Sequence, residues 1–285
     1  MRAFVSHADD PSTTVGSGGA ALRPGLDSRE PARSAVEWAA VATMVLSAHN
    51  SSEIRSDIFF VTLGERSMSD KRCVFITGGT GYMGLRLIPR LLERGHEVRA
   101  LVRPGSEKKL PAGCAPVLGN ALDGDSYADQ IAPADTFVQL VGVAHPSPAK
   151  AAEFRKVDFA SGLGAVAAAK TAGIRHFVYL SVAHPALAMK AYIAVRSECE
   201  AAIAAAGLNE TILRPWYVLG PGHWWPYILV PMYKLAELLP STRESAQRLG
   251  LVTLEQMVTA LLAAVENPAH GIKVVSVPQI RSSTA

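Results

Sequence analysis

Cysteine is scarce in this chain, with three in 285 residues, and Cys73, Cys114 and Cys199 lie far apart without a CxxC pair. That excludes a disulfide framework and zinc-ligand spacing, so no metal site is expected, and an odd number of thiols suits a reducing cytoplasm. Charge is sparse as well, at 19% of residues, and the net +3 comes from scattered Lys and Arg rather than a basic block. With no helix-turn-helix pattern and no basic stripe, the expected partner is a small anionic molecule and not a nucleic acid. Long apolar runs are missing too. Trp38 to Ala48 covers roughly 11 residues against the roughly 20 that a membrane span needs, and Glu30 and Glu37 flank it where a secretory signal carries positive charge, so neither is expected. What the chain does have is 49% hydrophobic residues, ample to bury a core and enough to exclude disorder throughout.

Residues 1–67 read as an extension, disordered or mis-annotated, with Gly16-Ser17-Gly18-Gly19, scattered prolines and no sustained period. Met68-Ser69-Asp70-Lys71-Arg72 precedes the first convincing strand, which makes Met68 the expected translation start; the alternative is a genuine N-terminal arm with a helix around Ala35 to Leu46. From Cys73 onward strand-like runs (Val74 to Thr77, Glu97 to Val102, Ala115 to Leu118, Thr136 to Val141, His176 to Ser181, Thr211 to Arg214, Lys273 to Val277) alternate with helical patterns. The helices are expected at Met83 to Arg94, Tyr127 to Ile131, Val157 to Ala172, Ala191 to Ala206 and Leu254 to Glu266. Such alternation predicts an α/β, Rossmann-like doubly wound parallel sheet over 68–285, with a small C-terminal substrate-side region centred on 216–250.

The most informative stretch is Thr77-Gly78-Gly79-Thr80-Gly81-Tyr82-Met83-Gly84, which sets Gly78, Gly81 and Gly84 three apart between a strand and a helix. The first glycine permits a tight turn, the second lets backbone approach a diphosphate, and the third lets the helix pack closely on the sheet, while the helix start attracts the anion. Gly78, Thr80, Gly81, Tyr82, Met83 and Gly84 are therefore the expected dinucleotide cradle. At the end of the second strand stands Arg103 where an acidic residue would accept from a ribose 2′-hydroxyl, which favours NADP(H) over NAD(H). The other reading of Arg103, with Lys108 and Lys109, is a solvated loop charge.

Taken together, Thr77 to Gly84, Arg103, Gly119-Asn120, Asp158, Ser181, Tyr192 and Ile212-Leu213-Arg214-Pro215 resemble an atypical short-chain dehydrogenase/reductase. The nearest branch is the NmrA-like group, which is also similar to an accessory subunit of respiratory complex I. The resemblance implies a Rossmann fold with a substrate pocket built from C-terminal segments. It also implies Asn120 beside the adenine, in place of the usual Asp, and Val141 and Pro215 along the ribose and nicotinamide. Active relatives carry a Tyr, a Lys four residues later and a Ser ending the preceding strand; the matching positions here are Tyr192, Arg196 and Ser181. The implied roles are proton donor for Tyr192, electrostatic and ribose partner for Arg196, and carbonyl orienter for Ser181. Arg keeps the positive charge of the usual Lys but not its compact shape. On residue type alone, Tyr192 reads equally as a half-buried aromatic, Ser181 as a strand-end hydroxyl, and Arg196 as a surface partner of Glu200.

Three of the four tryptophans fall in Trp216 to Tyr227. Local core packing is the default for most of these rings; beyond it, such a concentration suits an apolar pocket or lid first, a protein partner or homodimer surface through 216–239 second, and membrane contact third. His145 and His184 each precede a proline in loops expected at the carboxyl ends of the sheet, within reach of a substrate; the other reading is of simply exposed loop histidines. The function expected is redox chemistry on a small, apolar carbonyl or alcohol. The alternatives are a non-catalytic NADP(H) sensor or assembly protein, and a sugar-type epimerase or dehydratase that uses the cofactor transiently.

Overall fold

The computed structural model describes residues 71–186, 189–222, 228 and 230–283. The readings of residues 1–67 and of Trp224, Trp225 and Tyr227 lie outside that set. Seven parallel strands form the main sheet in the order β3-β2-β1-β4-β5-β6-β9, from β1 (Cys73–Thr77), β2 (Glu97–Val102), β3 (Ala115–Leu118), β4 (Thr136–Gln139), β5 (His176–Leu180), β6 (Asn209–Leu213) and β9 (Ile272–Val275). Strand alternation divides the core between two faces. Val74, Ile76, Val138 and Val178 pack with Leu87 and Leu91 of α1 (Gly84–Glu93) and Met257 and Leu261 of α6 (Leu254–Glu266). On the other face Phe75, Phe137 and Phe177 stand in register across three strands, with ring centroids 5.2 and 5.1 Å apart, against α2 (Ala160–Thr171) and α3 (Lys190–Ala205).

Most expected elements form, α6 with the predicted bounds and a Thr253–Gln256 capping box at its start. The expected helix over Tyr127 to Ile131 is instead two short 3₁₀ turns, Gly124–Ser126 and Ala128–Gln130, since five residues before a proline give an α-helix too little to close. The helix expected from Val157 begins earlier, with one turn at Ala151–Glu153 and a widened π-helical stretch at Phe154–Phe159 before α2. That stretch buries Phe154 and Asp158 on one side.

The C-terminal region holds elements that have no counterpart in the pattern. Strand β7 (Tyr217–Leu219) pairs in parallel with β8 (Leu251–Thr253), and α4 (Val230–Leu238) and α5 (Pro240–Arg248) lie between them in the chain. Pro231, which reads as an interruption, occupies the first turn of α4, where the missing N–H has no partner to lose. Leu219, Tyr233, Ala236, Ala246 and Leu251 form a small core of their own there. The chain ends its described part with α7 (Val277–Ser282).

Candidate active site at the carboxyl ends of the strands

The strand order reverses between β1 and β4, so their carboxyl ends open a crevice at the topological switch point. Gly78, φ +77°, turns the chain out of β1, and a Cβ there would lie 2.9 Å from the Leu140 carbonyl carbon beyond β4. Gly84 opens α1 so close to the turn that a Cβ would lie 2.5 Å from the Gly79 Cα. Among the described residues no side chain caps α1 at Met83, and its first turn carries no acid, so the amides and dipole of this helix start are presented to an anion. A backbone cradle that side chains would fill, ending on an uncapped helix, fits a dinucleotide diphosphate.

Two large side chains of that turn, Tyr82 and Met83, are directed elsewhere. Tyr82 lies under Gly220, where a Cβ would come 2.2 Å from its hydroxyl, and stacks against the Arg86 guanidinium at 4.6 Å. Met83 packs on the core shared by α1 and α6. The turn's contribution is backbone. Arg103 is exposed at the first position of a tight turn closed by the Ser106 N–H to the Arg103 carbonyl (3.0 Å), with Gly105 at φ +82°. Among the described residues it has no ion-pair partner. Asn120 is exposed and uses Oδ1 to accept from the Leu122 amide (3.1 Å). Val141 is half-buried beside exposed Gly142, and Pro215 is buried, its carbonyl accepting from the Ala183 amide at 2.8 Å.

Tyr192 and Arg196 share one face of α3. The Arg196 guanidinium is 5.2 Å from the Tyr192 ring centroid, and Phe154 packs on the same ring at 4.9 Å. Arg196 is buried and is no surface partner of Glu200: one terminal nitrogen meets Asp158 Oδ1 at 2.5 Å, and the other donates to the Leu180 carbonyl at 2.8 Å and the Tyr179 hydroxyl at 3.3 Å. Asp158 also accepts from the Val143 amide at 3.1 Å. The pair lies directly beneath Gly142, where a Cβ would come 2.3 Å from Arg196 Nη2. Burial pushes the Tyr192 hydroxyl above the ordinary tyrosine range, with Arg196 pulling down and Asp158 pushing up. Burial likewise raises the Asp158 carboxyl, opposed by Arg196 and the Val143 N–H.

Ser181 directly follows β5 and is buried, and its hydroxyl donates to Glu200. Glu200 in turn accepts from Arg214 Nε at 3.1 Å and Nη2 at 2.5 Å, with His184 Nε2 3.5 Å away. The structure therefore brings Tyr192 and Arg196 together and places Ser181 in a separate network that ties α3 to the ends of β5 and β6. His145 is exposed, in a positive-φ conformation (+49°). Sequence reasoning gave Asp158 no role at the site, because nothing local to it reports a partner 38 residues away.

The fold and the glycine crook define a dinucleotide-binding protein of the Rossmann type. A family model described as NAD(P)H-binding matches residues 78–221, and the chain belongs to that family as an atypical short-chain dehydrogenase/reductase. Among characterised proteins it is 33% identical over 116 residues to a 3-beta-hydroxysteroid dehydrogenase of Mycolicibacterium neoaurum, covering 37% of this chain and 31% of that protein. It is 26% identical to the ceramide reductase of Caulobacter vibrioides over 70% of this chain and 62% of that one. The matched part thus spans less than two thirds of either relative. Similar solved structures include the Bordetella bronchiseptica enzyme WbmH in complex with NAD+ (TM-score 0.55, 22% identity, 72% of this chain and 76% of that one). The Thermus thermophilus UDP-glucose 4-epimerase in complex with NAD is similar too (TM-score 0.53, 18% identity, 73% and 81%). These structural likenesses describe the fold. Among the described residues no helix is long and apolar enough to cross a membrane.

Proposed function

We propose that the chain is an NAD(P)H-dependent oxidoreductase acting on a carbonyl or alcohol of a small apolar molecule. The observation that carries the proposal is a tyrosine, with its cationic neighbour, at the same strand-end crevice as the uncapped helix start of the glycine turn. In this reading the turn from Gly78 through Thr80, Gly81, Tyr82 and Met83 to Gly84 holds the diphosphate by its backbone. Asn120 lies toward the adenine, and Val141 and Pro215 flank the ribose and nicotinamide. Arg103, exposed and without an ion-pair partner among the described residues, supports a 2′-phosphate and hence NADP(H), although the solved neighbours hold NAD.

When bound, the nicotinamide supplies hydride to a carbonyl carbon. Tyr192 gives its hydroxyl proton to the carbonyl oxygen, which completes the alcohol. Arg196 sets the electrostatics at that hydroxyl, and Ser181 acts at one remove, holding Glu200 and so the end of β5. An apolar substrate is supported by the names of relatives that act on a steroid, on a farnesylated quinoline oxide and on ceramide. It is supported also by Trp216 and Tyr217, packed edge to face at 5.6 Å just beyond Pro215. The functional unit in this proposal is 68–285, working in the cytoplasm, with 1–67 outside it. Leu235 and Leu238, 61% and 70% exposed on α4, support a protein partner or homodimer surface within 216–239.

One observation favours the non-catalytic sensor as a second reading: the Arg196 charge is already taken up by Asp158. Oxidation of NADPH across a panel of apolar ketones and aldehydes separates the two. Turnover that falls at least about 100-fold in Tyr192→Phe, with nucleotide affinity retained, is the expected result. Tight nucleotide binding with no turnover on any carbonyl assigns the sensor role instead.

A further inference from the structure

The cation beside Tyr192 arrives with its own counter-ion. Asp158 and Arg196 are buried to 1% and 5% exposure, and they meet at 2.5 Å. The rest of the guanidinium is committed to protein through the Leu180 carbonyl and the Tyr179 hydroxyl, which leaves only Nε without a partner among the described residues. Asp158 reaches this place because the π-helical stretch turns it inward together with Phe154, the residue that packs on Tyr192. Gly142, itself exposed, lies over the pair so closely that a Cβ there would meet Arg196 Nη2 and Asp158 Oδ1.

We propose that Asp158 is a positioning residue of the tyrosine site: its carboxylate anchors the Arg196 guanidinium beneath Gly142 and balances its charge, so that Tyr192 faces a neutral ion pair and not a free cation. The inference rests on the reading of Tyr192 as proton donor. The titratable groups that face the pair are Tyr192 and Cys199 on α3 and Tyr179 on β5. Arg155 and Glu198, on the outer sides of the same helical segments, are paired with each other at 2.5 Å. An unbalanced cation at this distance lowers a neighbouring acid's titration by about one pH unit or more, whereas an ion pair largely cancels its own field.

The test is a pH titration of tyrosinate absorbance without nucleotide, with the spectrum of the matching Tyr192→Phe protein subtracted to isolate Tyr192. The wild-type residue is expected to stay protonated up to the alkaline limit of the folded protein, and in Asp158→Asn to titrate lower by about one pH unit or more. Tyr192 that stays protonated up to the same alkaline limit in Asp158→Asn overturns the proposal. Should D158N not fold, the double variant D158N/R196Q, which removes both charges, decides. Tyr192 that again stays protonated up to the alkaline limit supports the balanced pair, and titration below that limit contradicts it. Because no cofactor is present, a failed titration refutes the role of Asp158 alone, whereas failure of the oxidoreductase reading shows as absent turnover with the titration intact.

Discussion

Glu210 is the residue whose burial is hardest to account for. It lies on β6, one strand in from the edge strand β9, at 0% exposure, in register with Phe177 and Ile272, and among the described residues neither carboxyl oxygen has a partner. Burial, and then repulsion from Glu200, push its pKa from 4.5 up to about 7, with Arg214 pulling down. The folded protein therefore binds this proton more tightly than the unfolded chain does. Stability from Glu210 is complete below about pH 4.5 and is lost as pH rises toward 7, by an amount on the order of 3 kcal/mol. His176 acts oppositely: burial lowers its pKa from 6.5 to about 4, so its contribution is present above 6.5 and lost as pH falls. The two slopes oppose each other between 4.5 and 6.5, so the Glu210 term is isolated by difference. Urea denaturation of Glu210→Gln against wild type is expected to show the variant more stable at alkaline pH by roughly 1–3 kcal/mol, with the gap closing below pH 5. A gap independent of pH would mean that Glu210 does not titrate in this range.

At the scale of elements, the turn from β1 into α1 sets where an anion can sit, and its tolerances are backbone tolerances. Gly84→Ala places a methyl group against the Gly79 backbone, which no rotamer can relieve. The expected outcome is a loss of about 1–3 kcal/mol in stability, read by thermal melting, and at least about a tenfold loss of nucleotide affinity, read by fluorescence titration. This turn was legible in the sequence because glycine spacing, strand and helix report one another locally. The same holds for β1 to β6 and α6, whose apolar periods are long enough to register. The widened turn at Phe154–Phe159 was not legible, since one extra residue per turn leaves apolar spacing looking helical. Three-residue β7 and β8 are too short to show a period, and Pro231 carried the opposite message from the one its place in α4 gives it. The site was half legible: i, i+4 spacing paired Tyr192 with Arg196, while the partners Asp158 for Arg196 and Glu200 for Ser181 depend on contacts 38 and 19 residues apart in the chain.

At the scale of the whole molecule, the strand order, the crevice at the switch point and the uncapped helix beside it all converge on one ligand class, and family membership agrees with them. Catalysis, substrate and the role of Asp158 are built on that binding event. Isothermal titration calorimetry of the purified chain with NADPH and with NADH tests it most directly. Saturable heat at one site per chain is expected, with NADPH the tighter ligand through Arg103; no heat with either nucleotide would rule out dinucleotide binding at the glycine turn.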